Sequence, residues 1–202
     1  MDARQRRSRE NLRRAILGLA ALTPASDILA SEVASVAKVN RSTFYDHASS
    51  PTALLEDVLR EELDALRAEF LSEVPPEGAA AAIAGVTRSV LEHIDAHRAI
   101  YLLGLDENSG PASLHPMLAG HFEASIRLLV KRGTIRYEST APGGAGTLQE
   151  EFRAEMAVRM IADGSVGAIL AWLQLPAAQP ATVDEFLELY GELLPSWFPF
   201  AA

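Results

Sequence analysis

Apolar residues recur along most of the chain at three- and four-residue spacing, a pattern that predicts helices and no convincing sheet. Leu12, Ala15, Ile16, Leu19 and Leu22 share one face of a first helix, which Thr23-Pro24 should end. Residues 30–37 and 41–47 read as two short helices with a tight turn between them. Val33, Ala34 and Ala37 form the inner stripe of the former, and Phe44 faces inward from the latter. Val39 is the lone hydrophobe of the turn, placed to plug the angle between the two helices. Asn40 stands where an N-cap is needed, its side-chain oxygen able to accept from a backbone N–H of the first turn. The second short helix opens with Arg41, Ser42 and Thr43, polar side chains suited to a DNA groove.

The remaining elements follow the same period. A fourth helix should start at Ser50-Pro51, because serine caps well and proline suits the first helical position. Its buried stripe is Leu55, Leu59, Leu63, Leu66 and Phe70, and Val74-Pro75-Pro76-Glu77-Gly78 breaks the pattern. Residues 79–104 predict a helix bending near His97, residues 117–131 another, and residues 149–174 the longest of the body. A last helix follows the capping residue Thr182. Residues 141–146, rich in Gly and Pro, read as a flexible loop, and Thr134-Ile135-Arg136-Tyr137 as a stray extended piece. The expected fold is all-α: a three-helix head with a helix-turn-helix over residues 1–50, and a larger helical body over residues 51–202.

Composition supports a chain with an ample core, since 49% of its 202 residues are apolar and 22% charged. The absence of cysteine excludes disulfides and thiolate metal sites, and fits a cytoplasmic protein. The net charge of −9 argues at first against nucleic acid, but it is unevenly placed. Residues 1–50 hold eight Lys+Arg against five Asp+Glu, whereas residues 51–202 hold ten against 22. A basic head on an acidic body is the charge layout of a DNA reader with a separate regulatory domain.

The basic start followed by Ala15-Ile16-Leu17-Gly18-Leu19-Ala20-Ala21-Leu22 also has the layout of a secretory signal. The apolar run is short, however, and its stripe continues back into the charged part through Leu12, which favours an amphipathic helix. No other run approaches the roughly 20 apolar residues of a membrane span, so no membrane partner is expected.

Over about residues 9–60 the chain resembles the tetracycline-repressor (TetR) family of transcriptional regulators. The matching residues are Val33-Ala34 and Ala37-Lys38-Val39 leading into the turn, then Thr43-Phe44-Tyr45-Asp46-His47, then Ala53-Leu54-Leu55. Members of that family usually carry glycine where Lys38 stands, an aromatic residue where Ala48 stands and lysine where Pro51 stands. The resemblance implies a homodimer whose two recognition helices enter major grooves of a palindromic double-stranded operator. It further implies a small-molecule ligand in the helical body that changes the spacing of the heads, and dimerisation through the last two helices.

The DNA-binding candidates are therefore Lys38, Arg41, Ser42, Thr43, Tyr45 and His47. Arg41 can pair with a guanine edge through two hydrogen bonds or hold a phosphate. Tyr45 and His47 match family positions that touch the DNA backbone; packing against the fourth helix is the other reading. Arg4, Arg6, Arg7 and Arg9 read as a basic arm, either laid on DNA or merely solubilising. His97, Tyr101, Phe122, Arg127 and Trp172 are candidates for a ligand pocket. His93 and His97 stand four apart, a chelating spacing, with His115 and His121 as further ligands, but no local motif joins them and no metal or cofactor is expected. Gly164 and Gly167 permit a close helix approach, to a partner subunit or within the chain. No nucleophile elbow, phosphate loop or zinc-protease pattern is present, so no catalytic residue is assigned. The leading expectation is a ligand-responsive dimeric repressor; the alternative is a helical interaction protein whose head no longer reads DNA.

Overall fold

Charged residues do not delay the first helix. In the computed structural model, which describes residues 3–135, 147–176 and 178–200, α1 spans Ala3–Ala20. The arginines expected to form an arm are its first turns. Arg and Gln are good helix formers, and a polar run needs no apolar stripe to continue a helix whose later turns are buried. The remaining helices are α2 (Ala30–Ala37), α3 (Arg41–Tyr45), α4 (Pro51–Leu71), α5 (Ala79–Ala96), α6 (Arg98–Gly104), α7 (His115–Lys131), α8 (Thr147–Leu173) and α9 (Val183–Leu193). No strand occurs among the described residues, and the fold is all-α as expected. The expected loop at 141–146, together with Arg136 and Tyr137, lies outside the described residues.

The chain divides into two compact units, Met1–Glu62 with Ile94–Met117, and Leu63–His93 with Leu118–Ala202. The expected boundary at residues 50 and 51 falls inside the first of them, and both α4 and α5 contribute to each unit. The bend foreseen near His97 is a full break: His97 has φ −111° and ψ 26°, which ends α5 and starts α6.

The first unit is built on Leu12, Ile16, Val33, Phe44, Leu59 and Tyr101, all essentially inaccessible to solvent. Each such side chain stabilises the unit by roughly 1.5–3 kcal/mol. Arg9 and Arg13 of α1 form ion pairs with Glu61 and Glu62 of α4, and Asn11 donates to the Ala37 carbonyl at 3.2 Å, satisfying an end group of α2. Gly104 marks a close approach: a Cβ there would lie 2.5 Å from Leu114.

The second unit packs Leu63, Leu91, Leu118, Leu129, Val166 and Leu187 inside. Its loops are tied by side chains. The Arg132 guanidinium donates to the carbonyls of Leu71 and Ser72, and the Thr134 hydroxyl to that of Val74 at 3.1 Å. Trp172 Nε1 donates to the Ala181 carbonyl at 2.8 Å. Thr182 caps α9 as expected, accepting from the Glu185 N–H at 3.2 Å while the Glu185 carboxylate accepts from the Thr182 N–H at 2.7 Å. Among the described residues α8 is long and apolar enough to cross a membrane by length and composition. Val158, Ala162, Val166 and Ile169 nevertheless bury one side of it within its own unit, and Asp163 sits exposed near its middle.

Candidate nucleic-acid interface and interior cavity

The turn between α2 and α3 is set by one residue. Lys38 adopts the left-handed conformation, φ 55° and ψ 44°, the only positive φ outside glycine among the described residues. Its N–H donates to the Ser35 carbonyl at 3.1 Å and the Val39 N–H to that of Ala34 at 3.0 Å, the paired bonds of a Schellman ending. This is the position where the family carries glycine, and a side chain there costs about 1–2 kcal/mol of backbone strain. The turn is kept and Lys38 bears its strain. Asn40 occupies the N-cap of α3 with an extended backbone, but its side chain makes no capping bond. Its contribution is the backbone carbonyl, which accepts from the Phe44 N–H at 3.1 Å.

Phe44 is fully buried and anchors α3, so the helix turns one face inward and leaves the other uncovered. Lys38, Arg41, Ser42 and Tyr45 are exposed on that surface, with Thr43 and His47 half-buried. Arg41 lies over the Tyr45 ring, 5.5 Å from its centroid, and donates to the Tyr45 hydroxyl at 3.3 Å. Tyr45 in turn meets Phe44 edge-on at 5.3 Å. The guanidinium is thus held outward on an aromatic support, its side chain partly ordered before any partner arrives. Ala48 is buried where the family carries an aromatic residue. At the start of α4 the Ser50 hydroxyl accepts from the Ala53 N–H at 3.1 Å, with Pro51 in the first helical position.

The five pocket candidates go to different places. His97, in the first unit, meets Glu62 at 3.4 Å. Tyr101, in the same unit, is wholly buried, and burial with the Glu62 charge pushes its hydroxyl far above the ordinary tyrosine range. In the second unit Arg127 is exposed, pairing with Glu123 at 3.0 Å and Glu155 at 2.8 Å. That clamp, with Arg159, holds the Glu155 carboxyl down at about 2. Trp172 is buried and its N–H is committed to Ala181. Phe122 is the candidate that lines a cavity.

That cavity, about 40 Å³, lies within the second unit among α5, α7, α8 and α9. Its lining includes Thr87, His121, Phe122, Ser125, Ser165 and Phe198. The Thr87 hydroxyl donates to the Ile83 carbonyl at 2.7 Å, Ser125 to His121 at 2.9 Å and Ser165 to Ile161 at 2.6 Å. Having spent its proton, Ser165 accepts from the Tyr190 hydroxyl at 2.6 Å. His121 is only 4% exposed, and its Nδ1 is buried with no hydrogen-bond partner. Burial, with the Arg67 charge second, lowers its pKa to about 4. Nothing in the sequence distinguished His121 from a surface histidine, beyond its place in an apolar helix.

A second concavity, about 540 Å³, runs along the outer side of α8 and α9, lined by Arg153, Ala157, Met160, Gly164, Leu193 and Trp197 among others. Phe152, Met156 and Met160 lie four residues apart on α8 and are exposed, as are Leu189 and Leu193 on α9. A Cβ added at Gly164 or Gly167 would meet nothing within 4 Å. No described part of the chain uses the smallness of these glycines.

This arrangement of helices is found among solved structures. A TetR transcriptional regulator from Streptococcus agalactiae superposes with a TM-score of 0.63 at 18% identity, covering 94% of each chain. A TetR-family regulator from Streptomyces coelicolor gives 0.62 at 18% identity, covering 95% of this chain and 80% of that one. FadR of Thermus thermophilus, a TetR-family repressor solved with lauroyl-CoA, gives 0.55 at 20% identity, covering 96% and 99%. The fold is that of the TetR-family transcriptional regulators. No protein-family model and no curated protein matches the chain in sequence.

Proposed function

We propose that the chain is a dimeric DNA-binding transcriptional regulator of the cytoplasm, a repressor released from its operator by a small molecule. The observation that carries this reading is the uncovered face of α3, where Arg41, Ser42 and Tyr45 stand exposed beside Lys38 on a helix anchored by Phe44. A short helix offering a guanidinium, hydroxyls and an aromatic hydroxyl on a two-helix support matches the donors and acceptors of a major groove. In this reading Arg41, Ser42 and Thr43 face base edges, whereas Lys38, Tyr45 and His47 face phosphates. Residues 1–50 read the operator, and residues 51–202 hold the ligand and the dimer contacts.

The fold shared with TetR-family regulators supports the reading. So does the exposed apolar stripe of α8 and α9, whose open glycines and methionines suit a second copy of the same surface. The protein binds rather than catalyses in this account, and ligand and DNA are coupled only as far as the ligand prefers one state of the dimer.

The test is a footprint and gel shift on DNA from upstream of the protein's own coding region, repeated over a range of salt. Salt-sensitive protection of a palindrome supports the reading, and Arg41→Ala should then lose sequence preference more than overall affinity. Failure to bind any duplex at low salt would instead leave a helical interaction protein with a silent head.

A further inference from the structure

Buried polar groups usually find partners, and among the described side chains of the second unit the exception belongs to a residue that lines a cavity. Each hydroxyl on the cavity wall is already committed. Thr87, Ser125 and Ser165 donate to carbonyls one turn back, and Tyr190 donates to Ser165. His121 Nδ1 alone among these wall groups is buried without a partner. The chain therefore carries the desolvation cost of one imidazole nitrogen that it could have avoided with an apolar residue.

We infer that this cavity receives an uncharged apolar molecule bearing a hydroxyl, an alcohol or a phenol, whose hydroxyl pairs with His121 Nδ1. The inference rests on the ligand-responsive reading above and names the chemistry of its ligand. No Lys, Arg, Asp or Glu lines the cavity, so a charged head would give up its hydration with no counter-charge to meet it. Arg67, the charged group acting on His121, is paired with Asp64 at 2.7 Å and is not part of the wall. The imidazole resists protonation and so cannot turn itself into a cationic partner for a carboxylate at neutral pH.

A hydroxyl suits Nδ1 in either tautomer, since it donates to the bare nitrogen and accepts from the protonated one. The volume of about 40 Å³ accommodates roughly three water-sized particles, enough for the hydroxyl and its first carbons. A ring or longer chain must displace Phe122 or Phe198 on the same wall. Occupation of the cavity thus couples to helix packing, as release from DNA would require.

The experiment uses the full chain and two pairs of probes, 1-butanol with butyrate and phenol with benzoate. Titration calorimetry at neutral pH should show the alcohol and the phenol binding at least tenfold more tightly than the carboxylate of similar size, and phenol should move the His121 ring nitrogen resonances. His121→Phe, which fills the space and removes the orphaned nitrogen, should keep the fold, by thermal melting, and abolish that preference. Carboxylates binding as well as alcohols, a preference that survives His121→Phe, or no binding by either hydroxyl probe would each overturn the inference. Operator binding measured on the same samples separates the two claims. An intact operator complex without probe binding sinks the ligand assignment alone. Probe binding with no operator complex at any salt sinks the regulator reading alone.

Discussion

The helices α3 and α8 each leave one face uncovered, and the chemistry of the two faces is opposite. On α3 the uncovered residues are Arg41, Ser42 and Tyr45, held in place by a single buried phenylalanine. On α8 they are Phe152, Met156 and Met160, followed by glycines with open space beside them. A five-residue helix gains too little from its own hydrogen bonds to stand alone and depends on Phe44 and the strained turn before it. A 27-residue helix has burial to spare on one side and can leave the other for association. The two uncovered faces differ in chemistry more than the helices that bear them: the first offers a guanidinium and hydroxyls, the second an apolar stripe.

The comparison breaks most visibly at α8 and α9. Met160→Lys together with Leu193→Lys places two charges on the apolar face and should convert the protein to monomer in sedimentation equilibrium. Operator affinity should then fall about 100-fold or more, because two linked heads bind far better than one. A dimer that survives both lysines would remove α8 from the interface.

The interior of the same unit supplies the next effect. His121 protonates near 6.5 when unfolded but stays neutral down to about 4 when buried. Between those values the unfolded chain holds the extra proton, so stability falls as pH falls, by about 3 kcal/mol in all, and is constant above 6.5. Denaturant titrations of wild type and His121→Phe across pH 7 to 4 should show the variant losing less by roughly that amount. Parallel curves would mean the imidazole is solvated in the folded protein.

On α3 the expected change is smaller. Arg41→Ala should weaken the cognate operator by about 1–3 kcal/mol with little change on random DNA, read by titration on both. Equal loss on the two would make Arg41 a phosphate contact. Lys38→Gly sharpens the contrast most finely. It should raise folding stability by about 1 kcal/mol through relief of the left-handed strain. If Lys38 meets a phosphate, the same change lowers the salt slope of DNA binding by about one.

Much of this contrast is written in local sequence. Phe44 with its polar neighbours, the Ser50-Pro51 start, the break at His97 and the Thr182 cap are all features of a few adjacent residues, and the structure has each of them. Features that depend on distant partners were harder to read. The arginines before Leu12 looked like an arm because no apolar residue accompanies them, yet they lie in α1, and Arg9 finds its acid, Glu61, on α4, 52 positions away. Asn40 has the right side chain in the right place and does not use it, since a cap bond depends on a rotamer that spacing does not encode. Arg127 resembled a pocket residue beside Phe122. Its neighbour Glu123, four positions back, was the signal of a surface ion pair. The isolation of His121 depends on where every neighbouring hydroxyl sends its proton, which no linear pattern reveals.

Those hydroxyls carry a consequence of their own. Thr87, Ser125 and Ser165 are bonded to carbonyls of their own helices, so a rotation about one Cα–Cβ bond redirects each toward the cavity without moving any backbone. The wall therefore holds several alternative hydrogen-bonding patterns on one scaffold. The molecule it would prefer could change over evolutionary time through rotamer choice and a neighbouring methyl group, while the helices, the apolar stripe of α8 and α9 and the turn before α3 remain as they are.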